Sequence, residues 1–226
     1  MSVTLANLRT RARDLADEPS TGGFAVDARL TEYANYALAE LHEILVNCHE
    51  EYFVKQETIT LVSGTESYSV ASDYFKTRKV YAKSGNTRWR LRKFTLDELD
   101  RLQDESSPIN ATMQNLRYAV FDSKMWFTPI PTGGSIEHWY IYKFDELSSD
   151  PDTISANLQP AWEEFVVCSM AWRLLTRGEN ENAPEMYQMM ERAKARIISA
   201  AEERDVGEPY RVSDVSGRLG LGRGNY

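Results

Sequence analysis

A chain of 226 residues with 42% hydrophobic and 11% aromatic content can bury a sizeable core, which excludes an intrinsically disordered protein. Its formal charge of −8 argues against a dedicated nucleic-acid grip, because displacing counterions from a polyanion needs a basic surface. Two cysteines, Cys48 and Cys168, are too sparse for a disulfide scaffold and read as reduced residues within helical patterns.

The opening MSVTLANLRTRARD lacks the apolar run of a signal peptide, and no stretch approaches the roughly 20 apolar residues of a membrane span. A cytoplasm-like compartment and no membrane partner are therefore expected. Leu5, Leu8, Ala12 and Leu15 recur at helical spacing and predict a helix over 4–17, with Arg9, Arg11 and Arg13 off the stripe. Pro19, Gly22 and Gly23 break it. Asp27 is placed to cap a second helix, along which Leu30, Tyr33, Ala34, Ala37, Leu38, Leu41, Leu45 and Cys48 follow at steps of three and four. Two helices joined so closely predict an antiparallel hairpin.

Near Phe53 the period changes from 3.6 to 2. Ile59 and Leu61 lie on a first strand, and Ser63-Gly64 turns the chain. Tyr68 and Val70 lie on a second strand, and 78–83 with 88–92 predict a hairpin across Ser84-Gly85-Asn86. Thr95 and Glu98 have capping-box spacing ahead of a short helix. Segment 104–115 reads as a loop. From Arg117 to Phe144, three aromatic and β-branched runs are separated by Asp122-Ser123-Lys124 and by Pro129-Ile130-Pro131-Thr132-Gly133-Gly134, the pattern of an antiparallel meander. Trp126, Phe127, Trp139, Ile141 and Phe144 are expected to hold this β block together. A helix over 161–175, apolar on most faces, belongs in the middle of a bundle or in an interface, and Gly178 ends it. Pro184 opens a last helix with Met186, Tyr187, Met190, Ala193, Ile197 and Ala201 on one stripe.

The expected fold class is therefore α+β. Segments 1–52 and 158–205 form a helical bundle of N- and C-terminal helix pairs, 53–147 is an inserted β-rich region, and 206–226 is an extended, glycine-dense tail.

No phosphate loop, dinucleotide fingerprint, HExxH, CxxC or GxSxG string occurs, so no reaction is named and neither an enzyme nor a cofactor is expected. His42 and His49 share a helical face roughly 10 Å apart, too far for one metal ion. His138 reads as a half-exposed sheet histidine. The adjacent pairs Glu50-Glu51, Glu163-Glu164 and Glu202-Glu203 read as solvated faces. Asp150 and Asp152 flank Pro151 without the pattern of a cation site. On a strand, Arg88, Arg90 and Arg92 point one way, with Trp89 and Leu91 inward. They read either as a charge-protected edge or as a contact with phosphates or an acidic partner. In the tail, Tyr210, Val212, Val215, Leu219, Leu221 and Tyr226 are spaced anchors interleaved with Arg211, Arg218 and Arg223, a pattern suited to lying along a partner.

Together, LRTRARDLADEP, ARLTEYANYALAELHEIL, YSVASDY, MWFTPIPTGGSIEHWYIY, LQPAWEEFVVCSMAWRLL and NAPEMYQMMERAKARI resemble the head-to-tail adaptor (connector, or head-completion) family of tailed bacteriophages. The resemblance spans nearly all of 1–205. It departs at Val70-Ala71-Ser72-Asp73, where members often carry Leu-Pro before the aspartate. It implies a structural virion protein at the portal vertex, between head and tail, assembled in the host cytoplasm. Its partners would be the portal protein, tail (nozzle or tail-tube) proteins, further copies of itself in a ring, commonly a dodecamer, and genomic DNA passing without sequence-specific binding. An acidic channel wall would let that DNA slide. The 206–226 tail would dock on the portal, and Ile130, Pro131 and Thr132 would form an inter-subunit or tail-facing turn. The alternative from the residues is a nucleic-acid-binding module using 88–93.

Overall fold

The computed structural model describes residues 3–18, 25–49, 51–99, 112–154, 158 and 162–202. Helix α1 (Leu5–Ala16) starts where the Thr4 side chain accepts the Asn7 N–H at 3.3 Å, and ends at Asp17 in the left-handed region. Leu5, Leu8 and Ala12 are buried as their spacing predicts, but Leu15 is 42% exposed. Ala16 takes the packed position at that end, and Arg9, one turn on from Leu5, is also on the packed face at only 7% exposed. Arg9 can be buried because it pairs with Asp27 at 3.4 Å and Asp150 at 3.0 Å.

Helix α2 (Asp27–Cys48) buries Leu30, Ala34, Ala37, Leu38, Leu41, His42 and Leu45. Asp27 does not cap it. Val26 occupies the cap position without a side-chain bond, and the Asp27 carboxylate faces Arg13 and Arg9 instead. Those guanidiniums, Arg13 first, hold its pKa below the usual carboxylate range.

Helix α3 (Glu163–Arg177) packs on α1, on α2 and on α4 (Ala183–Glu202), which explains why apolar residues surround it. Gly178 closes it as expected. Along α4, Met186, Met190, Ala193, Ile197 and Ala201 are buried, whereas Tyr187 is exposed and rests against the Trp172 ring at 5.3 Å. Helices α1, α2, α3 and α4 contribute to one core, and Phe53, Tyr140, Ile141 and Tyr142 enter it from the β region.

Among the described residues, eight strands form two sheets. One has the order β1-β8-β3-β4, built from Val54–Leu61, Gly134–Tyr142, Tyr74–Ser84 and Thr87–Arg90. The other has the order β2-β7-β6-β5, from Ser67–Ser69, Lys124–Thr128, Arg117–Phe121 and Arg92–Lys93. Leu61, Val80, Ala82 and Ile136 from the first sheet and Tyr118, Met125 and Phe127 from the second share a separate core. The hairpin across Ser84-Gly85-Asn86 forms, but its second strand stops at Arg90 and Arg92 pairs in the other sheet, while the Thr95–Glu98 capping box forms as expected.

The meander does not form. β6 and β7 pair across Asp122-Ser123, both at positive φ, which suits a two-residue turn. β8 leaves that sheet and runs between β1 and β3 in the other, with Gly134 opposite Leu61. The intervening segment is a crossing, not a turn. Pro129 and Pro131 have no N–H to give to a ladder, and Gly133 and Gly134 adopt φ of 137° and 105°, which redirects the chain. The aromatic set divides accordingly. Phe127 lies between the sheets, Trp126 flanks the small Phe94–Ala119 cluster, and Ile141 and Phe144 pack with the helices.

Candidate interaction surfaces

The basic segment sits where the two sheets meet. β4 is the edge of one sheet and β5 the edge of the other, and Leu91 alone separates them. Leu91 is buried in the inter-sheet core, and its N–H donates to the Val80 carbonyl oxygen at 2.9 Å. Trp89 packs against the same core, and Phe94 is buried just beyond. Inward anchoring at Trp89, Leu91 and Phe94 leaves Arg88, Arg90 and Arg92 exposed, as strand alternation requires.

The three arginines are not equivalent. Arg88 pairs with Glu137, which also takes Lys83 at 3.3 Å. Glu137 is 4% exposed, and its carboxyl is held below the usual range, chiefly by the Arg88 hydrogen bond. Among the described residues, no carboxylate lies within 4.0 Å of Arg90 or Arg92, nor of Arg117 on β6. Arg88, Arg90, Arg92 and Arg117 line one groove of about 630 Å³, together with Gln114 and Asn115.

A second constellation was not legible in the sequence. His138 is not half-exposed but fully enclosed. Its Nδ1 lies 2.7 Å from Glu57 Oε1 and its Nε2 lies 3.0 Å from Thr77 Oγ1, while Tyr74 Oη meets the same Thr77 hydroxyl at 3.1 Å. Beside this row, Asp73 accepts the Tyr140 hydroxyl at 2.8 Å and Lys55 Nζ at 2.7 Å. Burial is the largest cause both of the lowered His138 pKa and of the raised Tyr140 pKa. An acid–imidazole–hydroxyl row has the elements of nucleophile activation, but a sealed imidazole and a Thr hydroxyl already engaged by Tyr74 offer a substrate no approach. The row ties β1, β8 and β3 together. It became visible only with the register, which sets Glu57 opposite His138.

The other candidate positions are bound up in local structure. Asp152 accepts the backbone N–H groups and hydroxyls of Ser148 and Ser149, and the Ser149 hydroxyl does most to hold its pKa far below normal. Asp150 is taken by Arg9, Glu163 by Arg11 and Glu164 by Arg196. His42 donates from Nε2 to the Tyr142 carbonyl oxygen at 2.8 Å, and His49 lies past the end of α2. Among the described residues no group of three His, Cys, Asp or Glu side chains is placed to hold a metal ion, and no helix is long and apolar enough to cross a membrane.

At the crossing between the sheets, Ile130 is 46% exposed and Thr132 is exposed, but Pro131 is buried, with its carbonyl oxygen accepting the Gly64 N–H at 3.2 Å. Tyr210, Arg211, Val212, Arg218, Leu219, Leu221, Arg223 and Tyr226 lie outside the described residues.

A family model described as SU10 adaptor protein matches residues 3–213, nearly the whole chain. The chain belongs to that family. It is thus a phage head-to-tail adaptor and a structural virion protein, which is not an enzyme class. No curated protein matches the sequence. The family span takes in α1 to α4 and both sheets, and it runs into the tail to include Tyr210, Arg211 and Val212. Membership implies association with portal and tail components and oligomerisation, at the portal vertex of the virion.

Proposed function

We propose that this adaptor assembles as a ring, a dodecamer, beneath the portal protein, extends the DNA channel and offers the surface to which the tail attaches. The family match over residues 3–213 carries this reading. In it, 1–52 and 158–205 form the helical bundle, and 53–147 is an insertion presented at the bundle's end. The exit of the β region supports that division. Tyr142 is held by His42, Leu147 exchanges two hydrogen bonds with the Asn35 side chain, and Thr153 bridges to Thr4. The insertion thus returns beside α2 and α1, the helices from which it departed.

The 206–226 tail docks on the portal. Its glycines let an extended segment follow a narrow groove, and its arginines pair with carboxylates there. Weak attachment per copy, repeated around a ring, gives tight assembly. The exposed Ile130 and Thr132 face a neighbouring copy or the tail. The isolated adaptor is a monomer or small oligomer assembled in the host cytoplasm, and the ring forms on the portal. Deleting 209–226 and measuring retention on immobilised portal tests the docking role. Loss of retention with unchanged helical circular dichroism supports it, and undiminished retention refutes it.

A further inference from the structure

From Tyr74 to Phe94 the chain carries four lysines and four arginines and no acidic residue, within a protein of net charge −8. Part of that charge is compensated. Arg78 pairs with Glu51 at 3.5 Å, and Glu137 takes both Lys83 and Arg88. Arg90, Arg92 and Arg117 remain, with no carboxylate among the described residues within 4.0 Å.

These three are held in place. Arg90 and Arg92 flank buried Leu91 at the junction of the two sheet edges, and Arg117 lies opposite Arg92 across the parallel β5–β6 pair. Like charges set opposite one another repel, so the arrangement favours an anion between them.

We propose that this corner is a phosphodiester-binding groove that holds the backbone of duplex DNA without reading its bases. Arginine forks match phosphate oxygens in a fixed geometry. Arg90 and Arg92 are two residues apart along the chain, so their Cα atoms lie within about 7 Å of each other, a separation that successive phosphates can match. Arg88 also lines a neighbouring recess with Arg78, Lys79 and Glu51, where Glu51 and Glu137 offset part of the positive charge. Three arginines in one groove, with no carboxylate partner among the described residues, fit a chain of repeated phosphates better than a single small anion. A protein surface, by contrast, presents charges of both signs and is met by complementary pairs, whereas no acidic residue occurs along the whole hairpin. Contacts to phosphate alone position a duplex and carry no base information. The inference goes beyond the adaptor assignment, since it needs neither a ring nor a portal.

The test is fluorescence anisotropy of a random-sequence duplex titrated with the full chain. Three phosphate contacts predict a log–log salt slope of about −2.7, so affinity falls about 40-fold between 50 and 200 mM salt. Substituting Arg90→Gln, Arg92→Gln and Arg117→Gln together is expected to weaken binding at least about 10-fold at the lower salt and to flatten the slope. The triple variant should have a thermal midpoint no lower than the parent's, and Lys124→Gln on the exposed end of β7 should bind as the parent does. Binding absent at tens of micromolar, or undiminished in the triple variant, overturns the proposal. So does arginine-dependent binding to polyglutamate without binding to DNA, which would assign the corner to an acidic protein. None of these outcomes bears on portal attachment, which the tail deletion tests separately.

Discussion

Arg92 and Arg117 lie directly opposite one another in the parallel pairing of β5 and β6. Neither has a carboxylate within 4.0 Å among the described residues, so the pair repels and the sheet edge carries the cost. Facing charges on a strand pair are worth about 0.2–1 kcal/mol. Arg117→Gln is therefore expected to raise stability by a few tenths to about 1 kcal/mol in low-salt urea titrations, with the gain fading near 1 M salt as screening removes the repulsion. Unchanged or reduced stability at low salt would mean that the pair is compensated.

Gly134 is the first residue of β8 and adopts a φ of 105°, at the point where the chain passes from one sheet to the other. A Cβ there would also press on the end of the Met113 side chain. Gly134→Ala should cost about 1–3 kcal/mol, mostly from the backbone, since the Met113 thioether can move aside. Urea denaturation measures this, and a loss below a few tenths of a kcal/mol would place the bend elsewhere.

Helix α1 offers a contrast between the residue its periodicity selects and the one the fold buries. Leu15 is 42% exposed, so Leu15→Ala should change stability by less than about 0.5 kcal/mol. Arg9 is buried between Asp27 and Asp150, and Arg9→Ala should cost about 1–3 kcal/mol through lost packing and lost ion pairs. The reverse order in thermal or urea unfolding would contradict the packing of this helix.

His42 and His138 are both enclosed, and burial lowers the pKa of each below the usual histidine value. A depressed histidine means that the unfolded chain binds protons the folded chain does not. Stability should therefore be flat above about pH 6.5 and fall as the pH drops below it, levelling off once the folded-state histidines themselves protonate. Asp27, Asp73 and Glu137, whose pKa values are also lowered, add a second loss at more acid pH. Urea midpoints across pH 8 to 4 show both phases, and stability rising as the pH drops below 6.5 would reverse the sign for the histidines.

Helix positions were legible in the sequence because their apolar spacing, Gly178 and the Thr95–Glu98 box are local signals. The hairpins across Ser84-Gly85-Asn86 and Asp122-Ser123 were legible for the same reason, since each turn is written in a few adjacent residues. What escaped were pairings between distant segments. Nothing near Gly134 says that β8 abandons β7 for β1 and β3, although two prolines and two positive-φ glycines in one linker suit a crossing better than a tight turn. The Glu57–His138 contact and the burial of Arg9 depend on that register and on the loop carrying Asp150, so periodicity alone could not show them. At the corner, strand alternation placed Arg88, Arg90 and Arg92 on one face. The commitment of Arg88 to Glu137 and the arrival of Arg117 needed the folded sheets.

Electron microscopy of portal rings from the same phage, incubated with the full-length adaptor, tests the central claim most directly. A closed ring of adaptor copies should appear at one end of the portal and continue its channel. Portal rings that remain bare at saturating adaptor concentration, with the adaptor free in solution, would contradict the account.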